Sequence, residues 1–533
     1  MTAATAPAAI GAPSVEGDAY AHKWPIALGV VLAAIMELVQ TTSVNLALTQ
    51  MSGNLGASLD EVTWVTTGYI LAAVIILPMT GWLAAYLGRK RYFTGSILLF
   101  TFASLMSGMS GSLGALVFWQ IVSGIGGGAL IATGQAILFE SFPPEEKTVA
   151  AAIFGLGMMA GPALGPTLGG IIVNRYSWPW IFYMNIPVGL SAAAMVTLFV
   201  KDTVAARRAG KVDGIGFVLL AAGIGALQFV LERGEHYDWL DSRLIAWLSV
   251  VAAVSLVALV WWELRVDEPV IDLRVLRDRS LAAGSVLAAA LGASLYGGSF
   301  LIAIYLQQVM RYDAETTGWL LFPTAVASAA IMLGLARVAP RLGPKADVRR
   351  AVVLGAVLIA VSMWMHARFT IEIGPGDTTW PAIVRGLGIG LLFVPLTTLA
   401  VGHLRGKALA HGAALYNLAR QFGGSVAIAV LTTLLSTRGA EHRAALVEHV
   451  SAYEVTTQQR LAMTARAFRS RGEIPAVAER DAIVALDRRV QQQAMVLAFR
   501  DGFALIAVLM VVGVPLAFVL KRADPNAGAV VGH

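Results

Sequence analysis

The sequence predicts an all-α protein that crosses a membrane fourteen times, and three observations carry that reading. Of 533 residues, 57% are hydrophobic and only 14% charged, against about 25% charged in a soluble domain. The charges cluster between apolar runs long enough to span a bilayer, which takes about 20 helical residues. The basic residues also concentrate in alternate connections, as the positive-inside rule requires of a polytopic protein. Without cysteine, the chain can form no disulfide, thiolate metal site or thiol nucleophile. Its net charge of +6 has a topological cause, so it does not argue for nucleic acid.

The expected spans are 25–47, 62–84, 93–113, 115–138, 149–173, 180–200, 214–231, 244–262, 281–309, 316–336, 350–367, 381–401, 412–435 and 502–520. With the N-terminus in the cytoplasm, inner connections hold Arg89, Lys90 and Arg91, then Lys201, Arg207, Arg208 and Lys211. They continue with Arg265, Arg274, Arg277 and Arg279, then Arg337, Arg341, Lys345, Arg349 and Arg350, and end with Lys521 and Arg522. The short outer connections hold only Arg175, Arg233, Arg243, Arg311 and Arg368. Both termini are therefore expected in the cytoplasm. Residues 436–500 form a long outer connection rich in Ala, Arg, Gln and Leu, a composition that favours helix over disorder.

A weak repeat divides the chain. Thr67-Gly68-Tyr69 and Leu87-Gly88-Arg89-Lys90 bracket the second span much as Thr317-Gly318-Trp319 and Leu342-Gly343-Pro344-Lys345 bracket the tenth. The expected organisation is a disordered tail (1–24), a six-helix half (25–200), two extra helices with linkers (201–280), a second six-helix half (281–520) and a tail (521–533). Such repeats place a transport site between the halves, near the midplane.

The densest motif is Gly157 to Gly170. Gly157, Gly161, Gly165 and Gly169 recur every fourth residue, with Pro162, Pro166 and Gly170 in the same run. In water the segment makes a poor helix; in lipid, where backbone groups must bond internally, it stays helical and offers a bare face for close approach. The run resembles the G-x-x-x-G-P-x-x-G-G antiporter signature of the major facilitator superfamily, which in that family packs the two halves together.

The resemblance extends along most of the chain, to the fourteen-helix drug:proton antiporter family and its EmrB-type permease subunits. Met36-Glu37, Thr41-Thr42 and Val44-Asn45-Leu46-Ala47-Leu48 match the first-span motif. Gly81-Trp82-Leu83 with Gly88-Arg89-Lys90-Arg91 resembles the gating loop, and Trp180-Ile181-Phe182 with Asn185 the sixth span. Asn417 with Arg420-Gln421 and Gly423-Gly424-Ser425 resembles the thirteenth span, and Arg385 matches at the start of the twelfth. The resemblance implies a major facilitator fold in 6+2+6 arrangement, in a bacterial inner membrane. It implies export of small amphipathic compounds against protons, with a periplasmic membrane-fusion adaptor and an outer-membrane channel as partners. Departures matter too. The family's first-span Asp is Gln40 and its fourth-span Arg is Gln120; replacing both avoids stranding a buried charge, but neither amide can carry a proton.

Glu37 is then the candidate proton carrier, with Arg385 and Arg420 as candidate counter-charges, because ionisable groups at bilayer depth face a cavity or a partner. Candidate cavity residues are Gln40, Asn45, Gln120, Tyr296, Tyr305, Gln307, Gln308 and Asn417. Gly108-Met109-Ser110-Gly111 has a protease-like form, but no histidine lies mid-span to serve as its base. No cofactor, metal motif or nucleotide-binding loop is read, and the chain is expected not to be an enzyme. Two other readings stay open: an exporter of one endogenous amphiphile (lipid, fatty acid or siderophore), and a non-transporting ligand-binding scaffold or sensor.

Overall fold

Each apolar run becomes a helix. The computed structural model describes residues 22–143, 146–201, 213–267, 269–338, 347–448, 450, 454–472 and 474–521. Most of both expected tails, Arg207, Arg208, Lys211, Arg341, Arg522 and the repeat element 342–345 lie outside the described residues. The first half comprises α1 (Lys23–Leu55), α2 (Trp64–Leu87), α3 (Arg89–Gly108), α4 (Leu113–Ser141), α5 (Lys147–Arg175) and α6 (Trp180–Phe199). A hairpin of α7 (Gly214–Arg233) and α8 (Arg243–Glu263) follows. The second half comprises α9 (Arg279–Val309), α10 (Ala314–Val338), α11 (Arg349–His366), α12 (Thr379–Val401) and α13 (Gly406–Glu448). After the short α14 (Val455–Arg469) it closes with α15 (Pro475–Gly513). Twelve of these are long and apolar enough to cross a membrane; α3 and α5, of 20 and 29 residues, bring the helices of span length to fourteen.

Packing repeats between the halves. In the first, α1 packs on α4, α5 and α6, while α3 packs on α4 and α6, and α2 on α4. In the second, α9 packs on α12, α13 and α15, while α11 packs on α12 and α15, and α10 on α12. Two seams join the halves, α5 against α10 and α12, and α13 against α2 and α4. They exchange the second and fifth helices of each half, as a pseudo-two-fold axis demands. The α7–α8 hairpin lies against α2 and α13, alongside the second seam.

Two elements differ from expectation. The glycine face of α5 packs within its own half: a side chain at Gly157 would meet Val31, and at Gly161, Gly165 and Gly169 would meet Leu38, Thr42 and Ser43 of α1. The close approach lets Ser43 Oγ donate to the Gly165 carbonyl at 2.8 Å. Contact with the second half comes from elsewhere on α5, with Gly155 against Met332 and Phe393. The second difference lies at residues 436–500. Here α13 continues unbroken to Glu448 and α15 starts at Pro475, with α14 packed on α15. A 43-residue helix is about 65 Å long at 1.5 Å per residue, twice the hydrocarbon thickness of about 30 Å, so these helices project beyond the bilayer.

Candidate functional site

Both halves bury polar groups, and they satisfy them differently. In the first half Gln40 is the hub. Its Nε2 donates to Ser123 Oγ at 3.2 Å and to Gln120 Oε1 at 3.4 Å. Its Oε1 accepts from Ser104 Oγ at 2.9 Å and Asn185 Nδ2 at 2.6 Å, and Gln120 Nε2 donates to Ser107 Oγ at 3.1 Å. Gln40 and Gln120, each 1% exposed, thus plug the interior between α1, α3, α4 and α6, outside the lining of the cleft between the halves. In the second half the buried Arg385 occupies the corresponding place on α12. Its Nη2 donates to the carbonyls of Ser294 and Leu295 at 3.0 and 3.2 Å and to Ser299 Oγ at 2.8 Å. The acceptors lie in and beside a π-helical stretch of α9, Ala293–Gly297, where the interrupted ladder frees carbonyls. Arg385 is a plug too, and it does not reach Glu37.

Two further buried charges, Glu37 and Arg420, meet between the halves. A cleft of about 20 Å³ is lined by Glu37 from α1, Ala73 and Leu77 from α2, Gly128 and Ile131 from α4, and Asn417, Arg420 and Gln421 from α13. Glu37 and Arg420 act on each other electrostatically, yet Glu37 Oε2 and Arg420 Nε and Nη1 have no hydrogen-bond partner. Tyr69 Oη sits beside the Glu37 carboxyl, and Tyr296 Oη beside Arg420, neither completing a hydrogen bond. Gly127 makes room for Tyr69, whose Oη a side chain there would displace. Arg420 also lies 5.7 Å from the Phe393 ring centre, within cation–π range. Below it, Asn417 Nδ2 donates to Gln135 Oε1 of α4 across the seam.

Of the sequence candidates, Glu37, Arg420, Asn417 and Tyr296 converge here. Tyr305 does not: it is buried in the second half, where its Oη donates to the Thr370 carbonyl at 3.0 Å and its ring packs on Phe369, Phe499 and Phe503. Gln307 and Gln308 sit in the last π turn of α9, away from the cleft lining. Asn45 is exposed, donating to the Thr41 carbonyl two turns beyond Glu37. Sequence reasoning missed Tyr69 and Gln135, although Tyr69 belongs to the repeated Thr-Gly-aromatic element and Gln135 is a lone amide in an apolar run.

The gating segment forms a latch on the side of α1's start. Gly88 takes φ 88° between α2 and α3, and Arg89 pairs with Glu140 while donating to the Gly406 carbonyl at 2.9 Å. Lys147 donates to the Gly402 carbonyl, and Gly81 abuts His411. Lys90 and Arg91 lie at the partly and fully exposed edge. Nearby, Asp278 caps α9 and binds Lys521 Nζ at 2.6 Å. Burial alone would raise that carboxyl's pKa. The Lys521 bond, the Leu281 N–H and the charges of His403 and Lys521 outweigh it and hold the carboxyl below the usual carboxylate range. The Arg89 and Lys147 contacts thus pin the two halves together at this end.

Comparison with known proteins agrees. Residues 30–428 match the family model described as Major Facilitator Superfamily. The multidrug export protein EmrB of Escherichia coli (strain K12) is 34% identical over 431 residues, covering 80% of this chain and 83% of that protein. The fatty acid resistance protein FarB of Neisseria gonorrhoeae is 31% identical over 522 residues, 98% of this chain and 99% of that one. Among solved structures, the human organic anion transporter MFSD10 (TETRAN) superposes with a TM-score of 0.57 at 13% identity, covering 93% of this chain and 99% of its own, a likeness of fold. With its paired seams, its repeated six-helix packing and these relatives, the chain belongs to the major facilitator superfamily, among its EmrB-type members.

Proposed function

We propose that the protein is a secondary active exporter of small amphipathic compounds that works by alternating access and exchanges substrate for protons. The observation that carries this is Glu37: a carboxyl buried at bilayer depth, facing Arg420 of the other half across a cleft and bonded to nothing at Oε2. An unpaired carboxylate there is costly, so its proton is exchanged when the cleft opens to water or takes a cation. The cleft of about 20 Å³ has room for about one water, whereas drug-sized ligands occupy roughly 300–1,000 Å³. Transport therefore needs the seams to part, beginning at the Arg89 and Lys147 latch.

The positive-inside pattern supports a cytoplasmic side for that latch and both termini, and the EmrB-type relatives support a bacterial inner membrane. On that orientation α14 and the ends of α13 and α15 reach into the periplasm, where a membrane-fusion adaptor leading to an outer-membrane channel would dock. The second reading, export of one endogenous amphiphile, is favoured by the end-to-end match to a protein named for fatty acid resistance.

The test is gradient-driven ethidium transport in proteoliposomes, wild type against Glu37→Gln. The proposal expects gradient-driven flux in the wild type and its loss in Glu37→Gln with dye binding retained. Equal flux in both would remove Glu37 from the mechanism. Absence of ethidium flux in the wild type, with flux of a fatty acid, would select the second reading.

A further inference from the structure

The helices that project from the bilayer enclose a pocket far from the Glu37 cleft. It lies where the end of α13, the short α14 and the first half of α15 meet, and its volume is about 240 Å³. Leu446 of α13, Leu461 of α14, and Leu486 and Val490 of α15 line it, all half-buried, together with the exposed Arg460 of α14 and Arg489 of α15. Leu446 stands about 60 Å along α13 from Gly406 at 1.5 Å per residue, and Gly406 belongs to the latch at the opposite end. With a hydrocarbon core of about 30 Å, the pocket is well beyond the reach of bilayer lipid.

Its chemistry is two-sided. Leucine and valine side chains from three helices form an apolar wall, and the arginines at its mouth add charge that nothing in the lining neutralises. Among the described residues no acid lines the pocket, and neither guanidinium takes part in an ion pair or a side-chain hydrogen bond. Arginines close by are engaged: Arg443 is held by Asp487 and Arg469 by Glu479. On α15, Leu486 and Arg489 are three residues apart and share one face, so a charge sits directly above an apolar contact. A guanidinium presents a planar fork of donors that matches a carboxylate or phosphate, while an alkyl chain laid on the leucines leaves water. The volume falls just below the roughly 300–1,000 Å³ of sites for drug-sized ligands, which suits one unbranched chain and is too small for a two-chain lipid.

We propose that this pocket is a binding site for a single-chain anionic amphiphile. The head is held between Arg460 and Arg489, and the chain lies along Leu446, Leu461, Leu486 and Val490. A neutral amphiphile of the same length meets the same wall but no counter-charge, so the head group decides selection. The site is separate from the cleft between the halves, and it does not rest on the export function proposed above.

The test is photolabelling of the full chain in lipid nanodiscs by dodecanoate carrying a terminal diazirine, with the labelled peptides located by mass spectrometry. Label on the exposed face of α8, which reports partition into lipid, is the reference in every variant. Label is expected on the segments that hold Leu446, Leu461 and Leu486, displaced by plain dodecanoate and not by dodecanol. Combining Arg460→Gln with Arg489→Gln should weaken binding about tenfold, the loss of two exposed ion pairs. Combining Arg460→Lys with Arg489→Lys should retain the preference for the anion, and Glu37→Gln should leave the pocket label unchanged. Equal displacement by dodecanol, or undiminished label in the double glutamine variant, would overturn the proposal. So would label confined to α8, which would leave the pocket to the side chains of a partner protein.

Discussion

The interiors of the two halves solve one problem with opposite chemistry. Both need a polar tie between their first and fourth helices. In the first half the tie is a neutral amide, Gln120 to Gln40, surrounded by serines and Asn185. In the second it is a full charge, Arg385, spread over backbone carbonyls beside a π turn. Neither tie exposes a titrating group to the central cleft. The difference bears on where the coupling charge is proposed: with the first half neutral at Gln40 and Gln120, a buried carboxyl and guanidinium, Glu37 and Arg420, confront each other from opposite sides of the seam.

The comparison breaks most sharply at Gln120. Gln120→Arg alone places an uncompensated charge beside neutral Gln40, expected to cost about 3–5 kcal/mol, as for a broken buried pair. Adding Gln40→Asp should restore most of that. Thermal denaturation of the purified variants measures both, and a single variant as stable as wild type would show that the amide interior tolerates charge. The mirror change, Arg385→Leu, leaves the Ser294 and Leu295 carbonyls without their donor, a loss of about 1–3 kcal/mol for a buried unsatisfied group. Unfolding of the solubilised protein should register it, with Gln120→Leu losing less because Gln40 keeps three other partners. Ser104→Ala, which removes one of the four hydrogen bonds at Gln40, should cost only about 0.6 kcal/mol.

The smallest effect concerns the second half's surface latch. Asp278 is held below the usual carboxylate range, so its contribution is complete above the ordinary value of about 3.9. It is lost as pH falls through the lower folded-state value. Stability attributable to Lys521 and Asp278 should thus be flat at neutral and mildly acidic pH and fall only below about 4. In Asp278→Asn that acid-dependent component should vanish from a melting-temperature series.

Much of this was legible in the residues. Ionisable groups inside apolar runs marked Glu37 and Arg420, the resemblance to the family's span motifs marked Gln40, Gln120 and Asn417, and the span positions followed from length and hydropathy. Which way a side chain faces was not legible, because these helices are apolar all round and carry no amphipathic stripe to distinguish cleft, core and lipid. Tyr305 therefore read as a cavity residue, yet it packs among Phe369, Phe499 and Phe503. The glycine face announced a close approach but not its partner, which is α1. The outer connection read as helical from composition, but its continuity with α13 and α15 depends on the absence of a breaker at Ser436 and at Arg500.

The most direct test of the central claim is substrate-induced proton release. Purified protein in detergent, at fixed pH in weak buffer with a pH-sensitive dye, is mixed with ethidium. The account predicts a released proton in the wild type and in Gln40→Ala, and none in Glu37→Gln at saturating ethidium. Undiminished release from Glu37→Gln would contradict it and move the coupling proton elsewhere in the chain.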